Sequence, residues 1–313
     1  MAAESRTAIY ASIAANVAIA ITKFIVGATA HSTAMLAEGV HSLVNCFDGG
    51  LLLLGQRRSR RPANEAHPFG YGREVYFWSL IVAILFFALG SGVTIYEGVR
   101  RVIEPGPLGD PTWSYVVIAA SALFDGASFV VGLRQFRRHM RAPGYWRAVR
   151  RSKDPSLFSV VLEDVADLTG LALAFLGVFL SHRLRMPVLD GVASIAIGLV
   201  LGAIATVLLI ETHGLLVGEA ASPELVDAVQ RAALEGDGVV AASRPASLHV
   251  GPQDIVIALQ VEFEPRLSAE QVAERAAALD ERLRAQYPAI QRVLVQPTTR
   301  VSTASMHEVA SHR

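Results

Sequence analysis

The sequence has very little cysteine and no surplus of either charge, and these two absences exclude several classes of protein. Cys46 is the single cysteine among 313 residues, so an intrachain disulfide framework and a cysteine-rich zinc or iron–sulfur site are both excluded. Basic and acidic residues balance at 28 each. The chain therefore lacks the basic excess that nucleic-acid binding needs.

Motifs of hydrolytic enzymes are also missing. No His-Glu-x-x-His pattern of a zinc protease occurs, and no serine or cysteine nucleophile motif accompanies the histidines. An intramembrane hydrolase that uses His41 is therefore disfavoured. We expect no enzymatic activity and no resident cofactor.

What the sequence does have is apolar length. Hydrophobic residues make up 52% of the chain, and its mean hydropathy is +0.40, which is too apolar for an ordinary soluble protein. A membrane span needs about 20 mostly apolar residues. Six such segments lie at 7–28, 33–54, 76–99, 113–133, 156–180 and 189–211. We predict a membrane all-α domain of six transmembrane helices over 1–215.

Arginine is spread unevenly over the connecting segments, and this asymmetry orients the chain. The segments after the second and fourth predicted spans are rich in arginine, whereas the first hairpin at 27–32 has no lysine or arginine. The positive-inside rule therefore predicts that both termini face the cytoplasm. We find no signal peptide or other targeting segment, and with the compact loops this favours a bacterial inner (plasma) membrane.

After residue 215 the long apolar runs give way to alternating helix and strand signals. Ser222-Pro223-Glu224 is typical of a capped helix start, and 268–286 has the spacing of an amphipathic helix. Strands are predicted at 247–250, 255–263 and 290–296. This α-β-β-α-β order predicts a small cytoplasmic α+β domain over 216–298, and 299–313 is predicted to be a disordered tail.

A polar stripe runs along the second predicted span. Its members are Glu38, His41, Asn45 and Asp48. Their spacing of three, four and three residues stacks them on one face of a helix. Because an ionisable group in hydrocarbon is costly unless it is paired or faces a wet interior, this face is a functional hypothesis. The alternative is a polar seam that joins helices through hydrogen bonds.

More charged residues interrupt the other spans. Acidic residues fall at Asp125 in the fourth span and at Glu163, Asp164 and Asp167 in the fifth. Three carboxylates so close together cannot all stay charged in lipid, so they must be paired, protonated or bound to a cation. Lys23 in the first span is a candidate partner for one acid. Asp190, at the start of the sixth span, is interpreted as an exposed N-terminal cap.

Histidine and carboxylates on two helices can supply nitrogen and oxygen ligands together. This ligand set suits Zn²⁺ or another divalent cation of similar character. Both ligand types must be deprotonated to bind metal, so binding releases protons. That linkage is a physical basis for exchanging a metal ion against H⁺ across a membrane. The sequence leaves the metal open among Zn²⁺, Fe²⁺, Co²⁺, Ni²⁺ and Mn²⁺.

Several motifs resemble those of the cation diffusion facilitator family. Residues 32–43 (Ser-Thr-Ala-Met-Leu-Ala-Glu-Gly-Val-His-Ser-Leu) are similar to its second-helix motif, and 67–73 (His-Pro-Phe-Gly-Tyr-Gly-Arg) to the loop before its third helix. Motifs at 76–80, 95–98, 162–164 and 190–198 are most similar to the branch related to the ninth human zinc transporter. The resemblance implies six spans, cytoplasmic termini, a ferredoxin-like C-terminal domain and proton-coupled export of a divalent metal, usually zinc.

The resemblance also implies a transport site in the second and fifth helices. The second-helix pair falls on His41 and Asn45, and the fifth-helix pair falls on Val160 and Asp164. Asn45 stands where the family usually has aspartate, and Glu163-Asp164 resembles the variant of this branch that replaces the spaced pair. The candidate metal ligands are His41, Asn45, Asp164, Asp167, Glu163 and Asp48. Asp125 and Glu38 are candidates for proton transfer or helix pairing.

Two functions stay open because of Asn45. A neutral amide binds Zn²⁺ more weakly than a carboxylate does, so the chain is either a metal/proton antiporter or a non-transporting or weakly transporting member that binds or senses metal. In the C-terminal domain we interpret His249 as a surface residue, and Gln260 and Gln296 stand where the resemblance implies metal ligands. We therefore expect this domain to form a homodimer rather than hold a metal cluster.

Overall fold

The computed structural model of the protein describes residues 17–139 and 155–301, which form two compact units. The first unit contains the described residues up to 58 and those of 74–213, and the second contains 59–73 and 214–301. Each unit has its own hydrophobic core. Residues 302–313, which hold most of the predicted tail, and residues 7–16 of the first predicted span lie outside the described residues.

The first unit is helical. Its helices are α1 (Val17–Thr29), α2 (Thr33–Ser59), α3 (Glu74–Ile103), α4 (Thr112–His139), α5 (Pro155–Leu184) and α6 (Val188–Val217). Among the described residues, four helices contain a stretch long and apolar enough to cross a membrane, and these are α3 to α6. Helix α2, at 27 residues, has the length of a span, but its polar stripe lowers its hydropathy.

Helix α3 is irregular at its centre. A π-helical segment, Phe86–Val93, separates the α-helical parts Glu74–Leu85 and Thr94–Ile103. Phe86, the first residue of this segment, packs edge-on against the ring of His41, with 5.2 Å between the ring centroids. The apolar run predicted the span but not the π segment, because hydropathy carries no information on hydrogen-bond register.

Asp190 connects the beginning of α6 to the beginning of α2. Its carboxylate accepts hydrogen bonds from Ser32 Oγ at 2.7 Å, from the backbone N–H of Thr33 at 2.5 Å and from Thr33 Oγ1 at 2.8 Å. The prediction of an exposed cap was wrong, since Asp190 is only 1% exposed. It caps α2 instead of its own helix, because the first N–H groups of α2 have no partner within that helix.

The second unit is a small α+β fold. Its elements are α7 (Pro223–Leu234), β1 (Val239–Ala242), β2 (Ala246–Gly251), β3 (Asp254–Phe263), α8 (Ala269–Gln286) and β4 (Ile290–Thr298). Strand β3 is central. Strands β2 and β1 pair antiparallel with its first and second parts, and β4 pairs parallel with it.

The helix starts of this unit follow the predicted capping chemistry. Ser222 Oγ accepts a hydrogen bond from the backbone N–H of Leu225 at 3.3 Å. At the start of α8, Ser268 and Gln271 each bond the other's backbone N–H in a capping box. The three predicted strands are present, but β1 was missed. Its four residues are too few to show an alternating pattern.

The segment 59–73 packs as part of the second unit. The Arg292 guanidinium of β4 lies 5.3 Å from the centre of the Phe69 ring. His67 stacks on Tyr71 with 4.2 Å between ring centroids, and the Tyr71 hydroxyl accepts a hydrogen bond from Asn64 Nδ2 at 3.0 Å. A Cβ at residue 72 would collide with the Val250 carbonyl of β2, so only glycine fits there.

Candidate metal-binding site

The polar stripe of α2 faces the interior of the helical unit. Glu38, His41 and Asp48 are fully buried, and Asn45 is half-buried. Residues between them on other faces, such as Leu43 and Phe47, are exposed. The helical spacing therefore predicted the buried face correctly.

His41 and Asn45 meet the same carboxylate of α5. The distance from His41 Nε2 to Asp167 Oδ1 is 3.3 Å. Asn45 Nδ2 donates to both oxygens of Asp167, at 3.1 and 2.9 Å. The resemblance pointed to Asp164 as the fifth-helix partner, but the residue that contacts both members of the α2 pair is Asp167.

Asp164 lies nearly one turn before Asp167 and faces α4. Ser128 Oγ donates to Asp164 Oδ1 at 3.4 Å, while Asp164 Oδ2 is buried without a hydrogen-bond partner among the residues that the structure describes. Asp125, on the same helix as Ser128, interacts electrostatically with both Asp164 and Asp167. Sequence reasoning missed Ser128, because small polar residues are common in apolar helices.

Asp48 and Glu163 form a second acidic pair between α2 and α5. Their carboxylates interact electrostatically. Both oxygens of Asp48 and one oxygen of Glu163 are buried and lack a hydrogen-bond partner within the described part of the chain. Unpartnered buried carboxylate oxygens are costly, so this pair requires a proton or a cation.

Glu38 is engaged by Lys23 of α1. Lys23 Nζ donates to Glu38 Oε2 at 3.1 Å and to Ser42 Oγ at 2.9 Å. The sequence suggested that Lys23 pairs with an acid, and the structure identifies that acid as Glu38. The side chain of Val160, which the resemblance aligned with a ligand position, lies outside the described residues.

The buried ionisable groups of this region carry an excess of acid. Lys23 and His41 are outnumbered by the carboxylates of Glu38, Asp48, Asp125, Glu163, Asp164 and Asp167. Protons or cations must therefore neutralise part of the cluster. Within 17–139 and 155–301, no group of three or more His, Cys, Asp or Glu side chains is already arranged around a metal position.

Comparison with known proteins decides the family. Residues 9–217 match the cation efflux transmembrane domain, which covers most of the chain. The chain belongs to the cation efflux family. It is an integral multi-pass membrane protein of a transporter family, not an enzyme.

Some relatives of this cation efflux protein are named for metals. It is 29% identical over 256 residues to the human mitochondrial proton-coupled zinc antiporter SLC30A9, covering 81% of this chain and 45% of the human protein. It is 30% identical over 274 residues to metal tolerance protein C4 of Arabidopsis thaliana, covering 87% and 60%. Against magnetosome protein MamB of Paramagnetospirillum magneticum it is 24% identical over 276 residues, covering 88% and 87%. The chain thus spans less than two thirds of the animal and plant relatives.

In the second unit of the cation efflux protein, the burial of one polar residue differs from the prediction. His249 was interpreted as a surface residue, but it is 5% exposed, and its Nδ1 lies 3.3 Å from the Gly251 carbonyl oxygen. That interpretation was wrong, because His249 lies on the buried side of β2. Gln260 and Gln296 face each other across β3 and β4, with 3.5 Å between Nε2 and Oε1.

Proposed function

We propose that this protein exports a divalent metal ion, with zinc the first candidate, from the cytoplasm in exchange for protons. The observation that carries the proposal is the approach of His41 Nε2 to Asp167 at 3.3 Å, with Asn45 on the same carboxylate. Nitrogen and oxygen ligands from two helices thus meet at one buried position, and this ligand set suits Zn²⁺. The proton-coupled zinc antiport named for the human relative supports it.

Metal and protons compete for the same atoms in this proposal. His41 binds metal as the neutral imidazole and Asp167 as the carboxylate, so protonation of either group weakens metal binding. Because acids outnumber bases around the site, departure of a divalent cation leaves negative charge that protons can neutralise. Exchange of metal for protons therefore keeps the buried charge nearly constant.

We assign the other acidic residues around this pair. Asp164 joins His41, Asn45 and Asp167 as a ligand, because its unpartnered oxygen lies within a turn of Asp167. Asp48 and Glu163 form a neighbouring acidic pair that attracts the entering ion. Asp125 serves in proton transfer or in pairing α4 with α5.

The same proposal includes the arrangement in the membrane. We assign six spans to α1–α6, with both termini in the cytoplasm of a bacterium, and the arginine-rich segments support this orientation. The second unit then acts as a cytoplasmic ferredoxin-like domain. Its role is to pair two copies of the chain as a homodimer.

Flux measurements on purified protein in liposomes test the proposal. We expect His41→Ala and Asp167→Asn each to abolish zinc entry into liposomes that contain a zinc-sensitive dye, because each removes a ligand. The matched controls His213→Ala and Glu104→Gln change exposed residues and should keep wild-type flux. Undiminished flux in either site variant would refute the assignment. The same liposomes, offered Fe²⁺, Co²⁺, Ni²⁺ and Mn²⁺, measure the metal preference.

The second candidate function is metal binding or sensing with little or no transport, and Asn45 is the observation that favours it. Its amide nitrogen faces Asp167, where a carboxylate would add a second charge for the metal. Wild-type protein that binds zinc but shows no zinc flux would favour sensing over export.

A further inference from the structure

A fully buried ion pair lies beside the proposed metal site. Lys23 Nζ is 3.1 Å from Glu38 Oε2, and the side chains are 1% and 0% exposed. Ser42 Oγ accepts a second hydrogen bond from the same ammonium at 2.9 Å. Glu38 and Ser42 flank His41 on α2, so the pair joins α1 to the helix that holds the proposed ligands.

Stability alone does not account for such a pair. Removing two charges from water is expensive, and apolar side chains of similar volume often replace a buried ion pair without loss of stability. Ionisable residues inside membrane helices instead mark functional sites. The Lys23–Glu38 pair therefore calls for a functional explanation.

The geometry gives the ammonium two effects on the site. It engages one oxygen of Glu38, while the other oxygen packs against Gly170 of α5 so closely that a Cβ there would collide with it. The ammonium also interacts electrostatically with Asp167 and Asp125. Lys23 thus binds the Glu38 carboxylate beside the site, and its charge reduces the negative potential at the Asp167 carboxylate.

We propose that Lys23 is a positioning residue whose fixed positive charge sets how tightly the site binds metal. It keeps Glu38 out of the ligand set and offsets part of the acidic excess, so that a divalent ion is held weakly enough to be released. This inference rests on the proposed function, because it takes His41 and Asp167 as ligands.

Variants that neutralise Lys23 or Glu38 test the proposal, because it predicts opposite changes in the Kd for zinc. We expect Lys23→Gln to lower the Kd for zinc by about tenfold or more, because one negative charge near the ion is no longer offset. In transport, KM and kcat should fall together, since release becomes slow. Glu38→Gln leaves the ammonium unpaired and should raise the Kd by about tenfold. The double variant should return to within about threefold of the wild type, and Lys23→Arg should match the wild type.

A purely structural pair would behave differently. Loss of packing or of a hydrogen bond would weaken zinc binding in both single variants, and the double variant would not recover. Either result, or an unchanged Kd in both singles, overturns the proposal. Calorimetric titration of zinc into detergent-solubilised protein gives the Kd, and thermal unfolding shows whether each variant folds. If Lys23→Gln does not fold, the double variant still decides, because the proposal expects its Kd to return to within about threefold of the wild type whereas a purely structural pair would not recover.

His41→Ala separates this inference from the proposed function. If that variant binds and transports zinc like the wild type, the site assignment fails whatever Lys23 does. If it loses zinc while the Lys23 and Glu38 variants shift the Kd in the same direction, only the role of Lys23 fails.

Discussion

At the scale of single residues, Asn45 has the least expected chemistry among the proposed ligands. Its amide nitrogen donates to Asp167, and its Oδ1 is buried without a hydrogen-bond partner in the described part of the chain. The residue therefore acts as a hydrogen-bond donor toward Asp167. An aspartate at this position could only accept, so it would oppose Asp167 until a cation or proton came between them.

We expect Asn45→Asp to bind zinc about tenfold more tightly than the wild type, because a carboxylate is a far better zinc ligand than an amide. If the wild type is a weakened transporter, zinc flux should rise as well. Calorimetric titration and liposome flux measure the two effects. The control Asn64→Asp changes an exposed residue of the segment 59–73 and should leave the Kd unchanged. Weaker zinc binding by Asn45→Asp would mean that Asn45 only joins α2 to α5.

The predictions of buried residues were correct where they depended only on the geometry of the helix backbone. The period of an α-helix is fixed, so sequence spacing alone placed Glu38, His41 and Asp48 on the buried face of α2. The choice between Asp164 and Asp167 depends on how α5 is rotated against α2. That rotation is set by packing, which a single sequence does not show. The contact of Ser128 with Asp164 was missed because a small polar residue in an apolar helix carries no distinctive pattern.

At the scale of elements, the start of α2 depends on α6. The Asp190 carboxylate satisfies the Thr33 N–H and both neighbouring hydroxyls in a buried position. The cap lies about two helical turns before His41, so it fixes where the polar stripe sits. Its negative charge also suits the N-terminal end of a helix.

Asp190→Ala should lower the free energy of unfolding by about 2 kcal/mol, because it leaves buried donors of Ser32 and Thr33 without an acceptor. Asp190→Asn keeps one acceptor and should cost about half as much. Thermal unfolding in detergent measures both, with Glu104→Ala as the control in an exposed position. An unfolding midpoint for Asp190→Ala that equals the control would show that these hydrogen bonds add nothing to stability.

The observed helices and strands also show which parts of the fold local sequence patterns can predict. Strands β2, β3 and β4 and the starts of α7 and α8 follow from alternation and capping residues, which act locally. Strand β1 and the π segment of α3 were missed. The first is stabilised by pairing with a distant strand, and the second is a change of hydrogen-bond register inside an apolar run. Neither leaves a periodic pattern in the local sequence.

At the scale of the whole molecule, connectivity links the two units more than once. The segment 59–73 packs with the second unit, yet it joins α2, which holds His41, to α3, whose Phe86 packs on that histidine. A sequence-based boundary at residue 215 could not show this, because the segment lies far from the second unit along the chain. The motif at 67–73 is thereby explained by packing, through Phe69 under Arg292 and Gly72 against Val250.

The proposed coupling to protons concerns the whole molecule, and the pH gradient tests it. Export with proton entry means that zinc moves into a liposome as protons leave it, so an acidic lumen should accelerate zinc entry and an alkaline lumen should slow it. One pH unit is worth about 1.4 kcal/mol per proton exchanged, or about tenfold in the zinc accumulation ratio. Dye-loaded liposomes with the gradient applied and then reversed measure this dependence.

The proton result and the ligand result are independent of each other. His41→Ala should give no zinc entry under either gradient, whereas the wild type should respond to the direction of the gradient and lose that response when an ionophore collapses it. A wild-type flux that ignores the gradient would remove the antiport mechanism but leave the ligands in place. The buried acids would then have to be neutralised by the metal alone, and their excess over Lys23 and His41 would need another cation to balance it after release.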